Sequence, residues 1–419
     1  MSLILKNIIL NGEKKDIYIE GNKIKKIGSN LNLKADEKID GKGEKAVLPG
    51  LINSHTHAAM TIFRGYGEDM VLKDWLEKKI WPLEAKLTEE DVYWGTKLAC
   101  LEMIKTGTTC FNDMYWLEEA TVRASEEMGV RAVIGLTVLD FLKAGTKGKA
   151  EEQRNILKKG KFKITKFSVA PHAVYTVSKE NLIWAKNFAK KNNLLLHMHA
   201  SETEEEVKNC QKKYKLRPIE FLEKIGFLNE NVILAHTIWL SDKEIEILKK
   251  RNCSVVYNPC SNLKLAAGGI FPFQKMKENN INVCLGTDGA ASNNNLDLLE
   301  ETKVGALLQK HREKNPLIAN VKEVLDWATI NGARALKINA GEIKEGKLAD
   351  LILIDLKKTF FSPGHNFLSD IIYSGSGPSV SDSICNGRIL MLNGKVEGER
   401  EIIKKATKTA KNLVKKAEN

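Results

Sequence analysis

The sequence predicts an α/β fold: a (β/α)8 TIM-type barrel with a small β-sandwich domain built from both termini. Eight short, β-branched apolar runs alternate with helical stretches through the middle of the chain. The span from Leu51 to Asp288 is close to the ~250 residues typical of such a barrel. Both ends carry hairpin chemistry that the middle lacks.

The first thirty residues read as a meander: Ile4–Ile9, an Asn11-Gly12 turn, Ile17–Glu20, a Gly21-Asn22 turn, then Lys23–Ile27. The eight barrel runs are Val47–Ile52, Thr108–Asn112, Arg131–Leu136, Lys166–Ala170, Leu194–Met198, Val232–Ala235, Ser254–Tyr257 and Val283–Gly286. Helical sequence such as Leu182–Asn192 and Asp242–Arg251 separates them, and Leu296–Lys310 and Val321–Leu336 complete the ring. Ala349–Asp355 is an alternating strand, and Gly387–Leu392, Asn393-Gly394 and Lys395-Val396 form a closing hairpin. Ile402, Ile403, Ala406, Ala410, Leu413, Val414 and Ala417 recur at helical spacing in a lysine-rich end helix. The expected division is residues 1–48 plus 345–400 as the composite β-domain, 49–344 as the metal-dependent barrel and 401–419 as the C-terminal helix.

With 43% hydrophobic and 28% charged residues among 419, the composition is globular and argues against disorder. No apolar run reaches the ~18 residues of a membrane helix, and the first residues carry no signal-peptide pattern. The seven cysteines include no Cys-x-x-Cys pair, which argues against a thiolate zinc ribbon or a disulfide framework and for a reducing, cytoplasmic setting. The net charge of +12 invites a nucleic-acid reading, but the lysines of the end helix carry much of it without interleaved aromatics. A solvated helix face is the expectation, with neither nucleic acid nor membrane as partner.

Five of the eight histidines fall just beyond the ends of the apolar runs. His55 and His57 follow the first run, and residues i and i+2 of a strand face one side, so both imidazoles can reach one spot. His199 ends the fifth run, His236 the sixth, and Asp288 the eighth. Catalytic residues of a barrel gather at this C-terminal face. Three imidazoles and a carboxylate there suit Zn2+ or Fe2+ with a position open for water. His197, deeper in its strand, is expected to hydrogen-bond inside the barrel, and His311 and His365 to be structural or exposed. Glu202, three residues beyond His199, has two readings at this point: a general acid–base group beside the metal, or a helix-capping residue before the solvated acidic run Glu204–Glu206.

Leu48-Pro-Gly-Leu-Ile-Asn-Ser-His-Thr-His resembles the opening motif of the amidohydrolase superfamily. Ala170-Pro171-His172 stands where two-metal members carry a bridging lysine, which resembles the mononuclear deaminase branch. Arg64-Gly65, Glu68-Asp69, Trp75-Leu76, Trp81-Pro-Leu-Glu84, Asn258-Pro-Cys-Ser-Asn262-Leu-Lys and Gly286-Thr-Asp-Gly-Ala-Ala-Ser-Asn-Asn-Asn narrow the likeness to the 5-methylthioadenosine/S-adenosylhomocysteine deaminase group. The resemblance implies that His55, His57, His199 and Asp288 hold one zinc per subunit, with Fe2+ or another divalent metal as alternatives. It implies that His236 hydrogen-bonds the water at the metal, that Asp288 helps deprotonate it, and that Glu202 protonates a ring nitrogen of adenine as C6 is attacked. Glu84 would then accept from the ribose hydroxyls, His172 contact the nucleoside and Trp75 pack against its 5′ group. The substrates implied are 5′-deoxyadenosine, 5′-methylthioadenosine, S-adenosylhomocysteine and adenosine.

The group's members that favour S-adenosylhomocysteine grip its carboxylate with arginines after the third strand. Asp140–Asn155 offers Lys143, Lys147, Lys149 and Arg154 but no arginine pair, and a lysine lacks the bidentate fork. A small apolar 5′ end is therefore expected. A relative acting on a free base or triazine is the alternative, disfavoured by Glu84; a non-catalytic barrel is disfavoured by the intact ligand set. The base rate for assembly is a homo-oligomer, dimer or tetramer.

Overall fold

The computed structural model describes residues 1–140, 147–158, 160 and 162–418. The strands in chain order are β1 (Ser2–Leu10), β2 (Glu13–Glu20), β3 (Lys23–Gly28), β4 (Glu37–Asp40), β5 (Lys45–Pro49), β6 (Leu51–Thr56), β7 (Thr108–Met114), β8 (Arg131–Val138), β9 (Thr165–Pro171), β10 (Leu195–Ala200), β11 (Val232–His236), β12 (Ser254–Tyr257), β13 (Asn282–Leu285), β14 (Leu351–Asp355), β15 (Val380–Cys385) and β16 (Arg388–Met391). β6 to β13 lie side by side in sequence order, all parallel, as the eight-stranded barrel. Thr56 and Asp288 bridge the first strand to the residues after the last, with Asp288 N donating to the His55 carbonyl at 3.0 Å.

The strands of both termini join in one hydrogen-bonded mixed sheet, ordered β16-β15-β14-β5-β1-β2-β3, with β4 parallel to β1. Leu3, Leu5, Ile8, Ile17 and Ile19 of the start meet Leu351, Leu353 and Ile384 of the end in one buried cluster. The barrel is tied to this sheet by the buried Arg131–Asp350 pair (2.8 Å), at the foot of β8.

Several boundaries differ from the sequence reading. The run Val47–Ile52 is not one strand: β5 ends in the terminal sheet and β6 begins in the barrel, with Gly50 at the step. A Cβ on Gly50 would stand 2.1 Å from Thr109 Oγ1, so only glycine lets the chain cross there. The C-terminal hairpin turns at Asn386-Gly387, both at positive φ, rather than at Asn393-Gly394, which closes just the isolated bridge Leu392–Lys395. Val321–Leu336 is broken into Val321–Trp327 and Ile330–Ala335. The end helix spans Glu399–Glu418. All seven cysteines are free thiols, and among the described residues no helix is long and apolar enough to cross a membrane.

Replacing Gly50 by alanine should lower stability by about 1–3 kcal/mol, the usual cost of overpacking. Thermal melts of Gly50→Ala, Thr109→Ala and the double variant check this. The double variant should recover part of the loss, because Thr109→Ala removes Oγ1 and Cγ2, the two closest atoms.

Candidate metal and active site

The C-terminal ends of the barrel strands bring His55, His57, His199 and Asp288 together, their ligand atoms all within 4.8 Å of one another. Asp288 Oδ1 lies 3.4 Å from His55 Nε2 and 3.2 Å from His57 Nε2, and the His57 and His199 Nε2 atoms face each other at 3.3 Å. The outer nitrogens decide what the inner ones can do. His57 Nδ1 donates to the Met114 carbonyl at 2.6 Å, and His199 Nδ1 to the His172 carbonyl at 2.9 Å. With their protons held there, both Nε2 atoms carry lone pairs. Two such lone pairs opposed in a buried site call for a cation between them. His55 Nε2, wholly buried, has no hydrogen-bond partner, and in the tautomer that frees it Nδ1 donates to His197 Nε2 at 2.9 Å. His197 thus stays inside the barrel as expected, while His311 and His365 are exposed.

Asp288 is divided in function. Its Oδ1 faces the imidazoles, and its Oδ2 accepts from Ser261 Oγ (2.6 Å) and Ser292 Oγ (3.1 Å). Burial works against this carboxylate, but the facing His55 and His57 rings outweigh it and hold the acid well below the usual range. Burial also opposes charge on His57, yet the Asp288 carboxylate raises that ring to about 9. A proton therefore occupies part of the cluster when no cation does. The backbone is strained at the same strand ends: Ser201, His236, Thr237 and Asp288 all have positive φ.

Glu202 and His236 complete the inner wall, with His236 Nε2 3.9 Å from Glu202 Oε1. Asn262 Nδ2 donates to His236 Nδ1 at 2.8 Å, which leaves the ring proton on Nε2, facing the site. Burial, reinforced by Asp288, pushes Glu202 up to about 8. The helix-capping reading of Glu202 does not hold. Thr203 caps Glu204–Tyr214, and Glu206 accepts from the amides of Ser201 (2.9 Å) and Glu202 (2.8 Å). Glu206 is therefore buried and not part of a solvated acidic run.

These groups open into a cleft of about 770 Å3, mouth included, walled by Met60, Trp75, Trp81, Leu139, Tyr175 and Leu265. Glu84 reaches it from the helical segment after β6. Burial raises its carboxyl to about 7, against the Tyr115 hydroxyl that donates to it at 2.8 Å. His172 lines the cleft and is held neutral by burial, at about 3. Among the described residues no lysine or arginine lines this inner cleft. Arg154 lies over the Phe188 ring instead (5.6 Å), and Lys143 falls outside the described residues, as do the side chains of Lys147 and Lys149.

Sequence reasoning did not single out Ser261, Asn262 and Ser292, although all three lie within the motif segments quoted above. Glu301 gave no signal at all. It is buried, accepts from Cys260 N (3.1 Å) and Asn293 Nδ2 (2.6 Å), and so ties the Ser261 loop to the Asp288 loop.

Residues 46–390 match the amidohydrolase family. The chain belongs to it. It is 46% identical to 5-methylthioadenosine/S-adenosylhomocysteine deaminase 1 of Archaeoglobus fulgidus, over 95% of each chain. It is 45% identical to the 5′-deoxyadenosine deaminase of Methanocaldococcus jannaschii, over 94% of this chain and 95% of that one. A solved adenosine deaminase from Xanthomonas campestris with bound zinc superposes with a TM-score of 0.94 at 29% identity, covering 99% of this chain and 98% of that one. Atrazine chlorohydrolase from Arthrobacter aurescens, at 22% identity and a TM-score of 0.89 over 97% of this chain, shares the fold. The family of this chain and its four-residue group together support a divalent metal as cofactor.

Removing the two serines that hold Asp288 (Ser261→Ala with Ser292→Ala) should weaken metal binding about 10–100-fold, as loss of outer partners generally does. Because a proton must leave when the metal enters, affinity should also fall as pH drops, by about tenfold per unit below the His57 value of about 9. Chelator competition at pH 6 and 8 measures both effects.

Proposed function

We propose that the protein is a hydrolytic deaminase of 5′-modified adenosines, with one zinc ion per chain held by His55, His57, His199 and Asp288. The observation that carries the reading is the pairing of two buried carboxyls across one apolar cleft: Glu202 beside the metal cluster and Glu84 beyond it. Three imidazoles with one carboxylate form a donor set suited to Zn2+. A divalent metal held there would lower the pKa of water to about 7 and so supply the nucleophile at neutral pH.

The chain's own groups do the rest. Glu202, kept protonated by burial, donates to the adenine ring nitrogen next to C6 and makes that carbon electrophilic. His236 presents its Nε2 proton to the attacking oxygen, and Asp288, held ionised, takes the proton the oxygen loses. Water adds at C6, Asp288 passes its proton to the amino group, the C6–N bond breaks, and ammonia leaves the corresponding hypoxanthine nucleoside as the C6 hydroxyl proton returns to Glu202. Glu84, oriented by Tyr115, accepts from the ribose hydroxyls, and neutral His172 contacts the nucleoside. Trp75 packs on the 5′ group in a wall without lysine or arginine among the described residues. That wall favours 5′-deoxyadenosine and 5′-methylthioadenosine over a substrate bearing a 5′ carboxylate or phosphate.

Glu202→Gln should retain the metal and lose about 10²–10⁴ in kcat, the usual worth of a general acid; unchanged ammonia release would overturn the assignment. Since the acid must be protonated, kcat/KM should fall as pH rises through about 8. In a panel of adenosines, 5′-deoxyadenosine and 5′-methylthioadenosine should show the highest kcat/KM and free adenine should be poor. A large advantage for S-adenosylhomocysteine would refute the proposed preference.

A further inference from the structure

The wall that carries Trp75 and Glu84 is built from pieces too short to hold themselves. A four-residue α-helix (Leu72–Trp75), a five-residue π-helix (Leu76–Ile80) and another four-residue α-helix (Trp81–Glu84) follow one another. Isolated helices of that length are unstable, and π-helical turns recur at functional sites. Yet Ile80 and Leu83 are fully buried, and Trp75 and Glu84 nearly so. The C-terminal helix packs against the last of these pieces, Trp81–Glu84. Leu413, wholly buried, joins Trp75, Ile80 and Leu83 in one apolar cluster, with Ala410 and Val414 packed against it. The same cluster contains Phe63 and Tyr115, the hydroxyl donor to Glu84. The helix is fixed to the barrel independently of the wall, through Glu399 on Lys105 (2.7 Å) and Lys405 over Trp94 (5.7 Å).

We propose that the C-terminal helix is a positioning element of the cleft: by burying Leu413 in the cluster with Ile80 and Leu83, it holds the Leu72–Glu84 wall, and with it Glu84, where a ribose is gripped. The proposal rests on the reading of Glu84 as the ribose acceptor. The lysine-rich outer face keeps this helix soluble, and its function lies on the inner one.

The test compares full-length wild type, Leu413→Ala and a chain ending at Gly398. Metal content, hydrogen exchange over residues 72–84, and kcat and KM for adenosine and 2′,3′-dideoxyadenosine are measured for each. In Leu413→Ala, exchange over 72–84 should accelerate and KM for adenosine should rise about tenfold or more, the penalty of a misplaced binding group. Its kcat and metal content should stay near wild type, and KM for the dideoxy analogue should barely move. The truncated chain should show the same changes, larger; if it does not fold, Leu413→Ala decides. Unchanged exchange over 72–84, a loss confined to kcat, or loss of metal or of the whole fold in Leu413→Ala would overturn the proposal. A wild type indifferent to the two hydroxyls would instead refute the ribose reading of Glu84. The exchange result would then decide by itself whether the helix holds the wall.

Discussion

The site depends on how the barrel closes. A ring of parallel strands must join its first strand to its last, and between β6 and β13 side chains do much of that work. Asn53 Nδ2 donates to Thr287 Oγ1 at 2.7 Å, and Thr287 N donates back to Asn53 Oδ1 at 3.1 Å. Above them Asp288 N meets the His55 carbonyl, and Thr56 Oγ1 donates to the Asp288 carbonyl at 2.9 Å. The bonds that close the ring are thus made by neighbours of His55, His57 and Asp288 or by their backbones. A slip of one residue at this seam would turn His55 and Asp288 away from each other and reverse the faces of β6.

Around that seam the molecule buries far more polar and charged groups than stability alone would favour. Five of them have partners that fix their state: the Met114 and His172 carbonyls for His57 and His199, Ser261 and Ser292 for Asp288, Asn262 for His236, Tyr115 for Glu84. Low dielectric makes such networks costly when incomplete and rigid when complete. Glu206 and Glu301 act one step further out, holding backbone amides so that strained strand ends keep their directions. The positive φ values of His236 and Asp288 are the local cost of aiming two side chains into one site.

The strands and the gathering of His55, His57, His199 and Asp288 were legible in the sequence because both follow short, local rules. An apolar run marks a strand, and a histidine just beyond it marks the barrel's rim. The groups that orient the ligands were harder to read. Ser261 and Ser292 are ordinary serines until the fold sets them on Asp288 Oδ2. Glu206 reads as a solvated acid beside Glu204 and Glu205 until its helix turns it inward. The step at Gly50 was hidden for a related reason: two strands of different sheets share one apolar run, and only the closeness of Thr109 separates them. Such contacts join residues far apart in sequence, so no window of residues contains them.

The mixed sheet has a consequence of another kind, in the order of synthesis. Its β1, β2 and β3 leave the ribosome first, but β5 pairs with β14 and Lys45 reaches Asp382 at 2.6 Å. The edge of β5 must therefore wait, unpaired, until the whole barrel has been made. Contacts of such long range slow folding, and an unpaired edge invites association with other chains. A chain stopped between β5 and β14 carries that edge open.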